Sequence, residues 1–416
     1  MTNDEVEMKN QSSLKIQKLV DKGVSIPNPE TVIVGDDVNI DRISGRGTVV
    51  YSGCKIFGEN TLILNDVKLG YEAPVTIENC HIGPETELKG GFFRQAVFLK
   101  KVSMGYGSHV REGTILEEET SVAHTVGLKQ TILFPYVTLG SLINFCDCLM
   151  SGGTSREDHS EVGSSFIHFN YTPNQDKATP SMIGNVPQGV MLNQKPIFLG
   201  GQGGIVGPAR FAFGTITAAG TICRKDELRP GRMILTGVRK NINIPFALGK
   251  HHNIKRTVLN NLVYIANLFA LNSWYHHVRS EFVSDDFPEE LLEGLKAKLE
   301  MNIKERIRRL RDLPYIIHNA GFSDLRSEEL QQNWSEIESF FNSLYNFIGK
   351  ENILEDFKTR LEKGREFKHK DYIRAIRALN KEDADMGSNW LQGIIDHIFF
   401  KLSGIIPSFG FKVEME

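Results

Sequence analysis

Charge of one sign, cysteine in disulfide-forming numbers and long apolar runs are all scarce in this chain. Its 48 lysines and arginines are nearly matched by 51 aspartates and glutamates among 416 residues. No global field therefore draws it to nucleic acid or to a membrane surface. Five cysteines, an odd number in a long chain, exclude a disulfide framework, and buried thiols are expected instead. Cys146 and Cys148 have the alternate spacing of two side chains on one strand face. No stretch is apolar for long enough to span a bilayer, and the opening MTNDEVEMKNQSS is polar and acidic, without the apolar centre of a signal peptide. The expectation is a cytoplasmic protein whose partners are small molecules or proteins, with no nucleic acid and no membrane. With 40% hydrophobic residues the chain is long enough for two or three domains with real cores.

From residue 32 to about 235 the sequence is rich in Gly, Val and Ile, and an aliphatic residue followed by a turn residue recurs at short intervals. Val34-Gly35-Asp36-Asp37-Val38, Ile56-Phe57-Gly58-Glu59-Asn60-Thr61, Ile82-Gly83-Pro84-Glu85-Thr86 and Ile216-Thr217-Ala218-Ala219-Gly220-Thr221 are examples. A period near six is neither the 2 of a half-buried strand nor the 3.6 of a helix. It suits a solenoid in which short strands end at Gly, Asn or Asp corners and three strands close a coil of roughly 18 residues. A β-sandwich is the rival, but its turns should fall every 8–12 residues.

Before the repeats, Leu14 to Val20 reads as a short helix and a plausible N-terminal cap. After residue 250 glycine thins out and helical patterns take over, at Arg256 to Phe282, Pro288 to Leu310, Ser327 to Ile348, Ile353 to Glu362 and Asn389 to Leu402. The basic run Lys304 to Arg311 is expected to be a solvated helix face, since acidic residues interrupt it. The expected organisation is an N-terminal helix and cap over residues 1–31, a β-helix over 32–250 and an α-helical domain over 251–416.

Three segments carry a family resemblance. Gly23 to Val32 looks like the junction where a linker helix enters a β-helix. Glu161-Val162-Gly163, then Asn170-Tyr171, Lys177 and Ile183-Gly184, is similar to a projecting Asn-Tyr loop. Phe198-Leu199-Gly200-Gly201 through Pro208 to Thr221 matches a set of terminal coils. Together they resemble the acetyltransferase half of the bacterial bifunctional N-acetylglucosamine-1-phosphate uridyltransferase/glucosamine-1-phosphate acetyltransferase, a hexapeptide-repeat transferase. The resemblance implies a left-handed parallel β-helix, a homotrimer with sites between neighbouring subunits, acetyl-coenzyme A as co-substrate, a sugar phosphate or nucleotide sugar as acceptor, and no metal. The uridyltransferase half is expected to be absent, because no Gly-rich phosphate loop precedes the repeats.

By the same resemblance Arg111 and Lys129 fall at or near substrate-phosphate positions, a job that suits a guanidinium well. Asn170, Tyr171 and Lys177 match the loop that reaches acetyl-coenzyme A. Ala219 matches a small residue against the pantetheine arm, and Gly201 stands in place of a serine. Arg239 is expected to replace a phosphate-binding arginine that aligns with Gly237. The family's general base is a histidine, and here that position is Ser141. Residues 151–159 are extra, whereas the stretch from Glu161 to Asn170 is shortened, and with it goes an asparagine that touches substrate. Side chains one coil apart stack in register, so His124 and His159 are expected to flank Ser141 and to supply the base, His159 being the better candidate. A non-catalytic sugar-nucleotide-binding or scaffold protein is the alternative, and a zinc-dependent hydratase on the same scaffold a third.

Overall fold

In a computed structural model the chain is described over residues 3–172, 176–235, 253–319 and 324–411, leaving aside the side chains of residues 3–10, 365 and 366. Helix α1 (Asn3–Asp21) leads into a left-handed parallel β-helix whose short strands are stacked in three faces. One coil is enough to define them. Ser108–Val110 lies on the first face, Thr114–Leu116 on the second and Ser121–Val122 on the third, before Gly127–Leu133 returns to the first. Among the described residues ten strands in parallel register make the third face. The first and second faces form one hydrogen-bonded sheet, because Gly127–Leu133 and Asn144–Met150 run unbroken round the corner between them.

Most strands are two or three residues long because the inward side chain must be followed at once by a turn. Many corners hold a residue with positive φ, among them Asp66, Lys101, Glu119, Thr125, Gln130 and Asp147, a conformation rarely populated outside glycine. Inside, Phe93, Val110, Leu128 and Phe145 stack coil upon coil, all but unexposed. Helix α1 closes the first coil: Lys15 Nζ donates to the carbonyls of Gly35, Asp36 and Val38 at 2.7–3.0 Å, and Ile16 and Leu19 join the core. All five cysteines are buried and free. Cys146 and Cys148 do not share a face, however. Asp147 between them has φ 60° and turns the strand round the corner, so Cys148 enters the interior while Cys146 stays on the first face.

A short helix α2 (Val186–Gly189) interrupts the late coils, and the last strand of the solenoid among the described residues is Met233–Ile234. The helical region follows as α3 (Ile254–His277), α4 (Glu289–Asn319), α5 (Leu325–Gln332), α6 (Trp334–Ser343), α7 (Glu351–Glu362), α8 (Arg365–Lys368), α9 (Tyr372–Arg377) and α10 (Lys381–Ile405). The last described strand ends at Ile234 and the first helix of this region begins at Ile254; the boundary expected at residue 250 lies outside the described residues.

These helices cover the second face. Val97, Leu99, Ile115, Ile132 and Leu149 alternate with the inward residues, yet they too are fully buried, in one core with α3 and α4. Each such side chain stabilises by about 1.5–3 kcal/mol, and five together contribute about 10 kcal/mol, comparable to the net stability of a domain. Polar struts cross the same interface. Asn302 Nδ2 donates to the Gly113 carbonyl at 2.6 Å, and Asn261 Nδ2 to that of Ala178 at 2.9 Å. Arg306, in the run expected to be solvated, is instead buried and paired with Asp147, because that side of α4 lies on the solenoid. Arg308 and Arg309 on the outer side pair with Glu305.

Candidate functional site

The corner joining the third face to the first carries a column of short and polar residues. His124 Nδ1 lies 2.9 Å from Ser141 Oγ, and the His124 ring stacks on Tyr106 with centroids 5.6 Å apart and planes 8° from parallel. Below them the Ser141 backbone N–H donates to Ser164 Oγ at 3.1 Å. One coil further, Gly201 packs so closely that a β-carbon there would sit 2.7 Å from the Ser164 carbonyl oxygen. That approach explains why glycine stands where the family resemblance has serine. The Gly220 N–H donates to the Gly201 carbonyl at 2.9 Å, which sets exposed Ala219 next in the column.

The flanking of Ser141 is thus half as expected. His124 touches it, whereas the residue on its other side is Ser164 and not His159. The extra residues 151–159 bulge out at the corner between the second and third faces, where the Arg156 guanidinium donates to the carbonyls of Glu119 and Tyr136. His159 belongs to that bulge, with Nδ1 2.7 Å from the Arg156 carbonyl and Nε2 3.5 Å from Glu161. A count of 18 from Ser141 fails because the insertion takes up the register that Ser164 restores.

The first face presents two outward columns. Arg111 follows a strand whose register puts it beside Lys129, which pairs in turn with Cys146. Arg94 precedes them in the same column. Lys129 Nζ lies 2.7 Å from Glu112 and Arg94 Nη2 3.4 Å from it. Partial burial would raise the Glu112 carboxyl, but the Lys129 ammonium and Arg94 hold it down at about 2. Among the described residues no carboxylate pairs with Arg111. The second column is Phe92, His109, Gly127 and Asn144. Both columns border an open groove of about 400 Å³ that also reaches Thr125 and Leu142, the neighbours of His124 and Ser141. Cys146 lies in its floor, and burial together with Asp147 pushes its thiol up to about 11, so it is no nucleophile near neutrality.

Asn170, Tyr171 and Lys177 lie at the opposite edge of the first face, at its corner with the second. Tyr171 is 59% exposed. Asn170 Nδ2 donates to Asp147 Oδ2 at 3.2 Å, and the Lys177 carbonyl accepts from Arg306 Nη1 at 3.4 Å. One chain therefore brings His124, Ser141, Gly201 and Ala219 together, and Arg111 with Lys129, but leaves the Asn170–Tyr171 pair across the width of a face. Arg239 lies outside the described residues. His109, Asn144 and Glu112 were not singled out from the sequence. Their signal was present, since Phe92, His109, Gly127 and Asn144 recur at intervals of 17, 18 and 17 residues, the length of one coil.

The chain is similar in sequence to bifunctional GlmU proteins. It is 27% identical to that of Fervidobacterium nodosum over 228 residues, 54% of this chain and 45% of the relative. To that of Thermotoga maritima it is 26% identical over 213 residues, 51% of this chain and 42% of the relative. The resemblance to the acetyltransferase half of GlmU stands on these matches and on the β-helix itself. The chain spans less than half the length of these relatives. No family model matches it. A solved UDP-N-acetylglucosamine O-acyltransferase (LpxA) from Moraxella catarrhalis aligns over 71% of this chain and 95% of its own at 14% identity, with a TM-score of 0.20, too loose a superposition to add weight.

Proposed function

We propose that the protein is a coenzyme A-dependent acyltransferase that acetylates a phosphorylated or nucleotide-linked sugar, working as a cytoplasmic homotrimer. The observation that carries this reading is the His124–Ser141 pair at an exposed corner beside a groove bordered by Arg111, which has no carboxylate partner among the described residues. An attacking amine or hydroxyl must lose a proton as it takes an acyl group, and a positioned imidazole is suited to accept it. If His124 donates its Nδ1–H to Ser141 Oγ, its Nε2 is left bare and can act as that base. Ser141 thereby fixes a tautomer in place of supplying the base itself, and stacking on Tyr106 fixes the ring plane. Arg111 and Lys129 would hold the acceptor's phosphate.

Acetyl-coenzyme A, when bound, supplies the thioester carbonyl that the acceptor attacks. Gly201 and Ala219 offer it a low edge with exposed backbone, and Tyr171 an exposed ring with Asn170 behind it. Because these two sets lie on different corners of one chain, a complete site needs a neighbouring copy to bring its Asn170–Tyr171 corner against the His124 corner. A cyclic trimer of parallel solenoids does this for all three sites at once. The first and third faces, which such packing would use, carry the exposed apolar side chains Ile167, Phe169, Phe198 and Ile216.

Ser141, standing where the family has its histidine, favours a second reading, a sugar-nucleotide-binding or scaffold protein without catalysis. Among the described residues no group of three or more His, Cys, Asp or Glu is placed to hold a metal. Thermal unfolding separates the first two readings. A ligand at a hundred times its Kd stabilises by about 2.7 kcal/mol. A shift with acetyl-coenzyme A supports the transferase, whereas a shift with nucleotide sugars alone supports the scaffold.

A further inference from the structure

We infer that the gap over Gly127 on the first face is a slot for the planar base of a nucleoside diphosphate, so that the acceptor is nucleotide-linked and not a simple sugar phosphate. The inference rests on the acyltransferase reading for its role, though the slot itself stands on geometry. Phe92 and His109 are ladder neighbours whose rings stack at 5.1 Å with planes 25° apart. That spacing is close to the 4.7–4.9 Å between adjacent strands. The next position of the column is Gly127 and the one after it Asn144. The stack of rings therefore stops at His109, with one ring position left open before the amide of Asn144. Two strand spacings separate His109 from Asn144, roughly 9.5 Å, which admits one aromatic ring between them and not two.

The Asn144 amide alone leans over the open position and bounds it on one side. A β-carbon placed on Gly127 would find only the Asn144 Oδ1 at 3.5 Å and Cγ at 3.9 Å. His109 and Asn144 are both exposed, and the groove of about 400 Å³ opens onto them. A base entering edge-on would stack on the free face of His109 and meet the Asn144 amide, which offers both a donor and an acceptor. Stacking on a ring face tolerates any base, so the hydrogen bonds at Asn144 must supply what selectivity there is. Two residues along the strands, roughly 7 Å away, stand Arg111 and Lys129, a step that a ribose spans. Arg111 is free of carboxylate partners among the described residues, and so is available to a diphosphate. A sugar phosphate would use the basic column and leave the slot empty.

Gly127 has an ordinary strand conformation, so Gly127→Val closes the slot without backbone strain and with a residue that strands favour. The test is calorimetric titration of the full chain with UDP, inorganic phosphate and coenzyme A, with a thermal melt of the variant as a check on folding. The wild type should bind UDP more tightly than phosphate, and Gly127→Val should weaken UDP by about ten- to hundredfold, the usual worth of one stacked base. His109→Leu, which keeps the fold of an exposed position, should do the same. Equal binding of UDP and phosphate by the wild type, or unchanged UDP affinity in both variants, overturns the inference. Loss of coenzyme A binding in Gly127→Val with UDP unaffected overturns it too, because the slot would then belong to the acyl donor. Slot-dependent UDP binding in a wild type that ignores coenzyme A keeps the inference and removes the transferase.

Discussion

Arg306 of α4 and Asp147 of the solenoid form an ion pair of 2.8 Å whose side chains are 2% and 5% exposed. The pair ties both sides of the Asn170–Lys177 corner, since Asp147 also accepts from Asn170 and Arg306 donates to the Lys177 carbonyl as well as to Gln130 Oε1. The helical region is thus part of the candidate site's support. Removing one partner of a buried pair strands the other charge and costs about 3–5 kcal/mol. Arg306→Met should lower stability by that amount in urea unfolding and raise amide exchange at residues 176–179. A variant as stable as the wild type would show that the pair anchors nothing.

The corner between the second and third faces holds a second buried cluster, with a pH dependence of its own. Tyr275 donates to Glu117, Arg279 pairs with Glu118, and the Arg279 guanidinium lies 3.7 Å over the Tyr372 ring. Burial first, and then the Glu118 carboxylate, push the Glu117 carboxyl well above the usual range, against Arg279 and the Tyr275 hydroxyl. A carboxyl raised on folding contributes stability that is complete below its unfolded value of about 4.3 and is lost as pH rises through its folded value. Stability should therefore fall by up to about 1.4 kcal/mol per pH unit as pH climbs through the acid range toward neutrality. Glu117→Gln should flatten that slope in melts taken at a series of pH values. An unchanged slope would place the titrating group elsewhere.

The shared core over the second face speaks against a solenoid that folds without its helices. A chain ended at Leu235 would expose Val97, Leu99, Ile115, Ile132 and Leu149 as one apolar strip, which marks an aggregation-prone surface. We expect that fragment to be insoluble or to bind hydrophobic dye strongly. A soluble fragment with a cooperative melt would contradict the shared core. Limited proteolysis near 283–288, a segment that looks open in the sequence, bears on the same point: Asp285 and Asp286 are exposed, but Phe287 is buried beneath Arg279.

Much of the fold was legible because its period is short and repeated. Each hexad names its inward residue and its corner, and α1 announces itself by Ile16 and Leu19 ahead of Gly23. The covered second face was harder to read. Its signal is the run of continuous burial at Thr131 to Phe134 or Cys148 to Met150, where an exposed face would alternate, and in strands of two or three residues alternation and continuity look alike. His124 against Ser141 followed from the coil length. His159 did not, since an insertion of unknown path breaks any count. Arg306 looked like one basic residue among several, and only the packing of α4 separates it from Arg308 and Arg309.

Acetyl transfer from acetyl-coenzyme A to an amino-sugar nucleotide, followed by thiol release for the wild type and for His124→Ala, decides whether His124 is the base of an acyltransferase. The wild type should turn over and His124→Ala should lose about 10²–10⁴-fold, the usual worth of a general base, with acetyl-coenzyme A affinity nearly unchanged. His159→Ala, altered at a different corner, should keep most of the activity. A wild type that releases no thiol with amino- or hydroxy-sugar nucleotides, or a His124→Ala variant as fast as the wild type, would contradict that role.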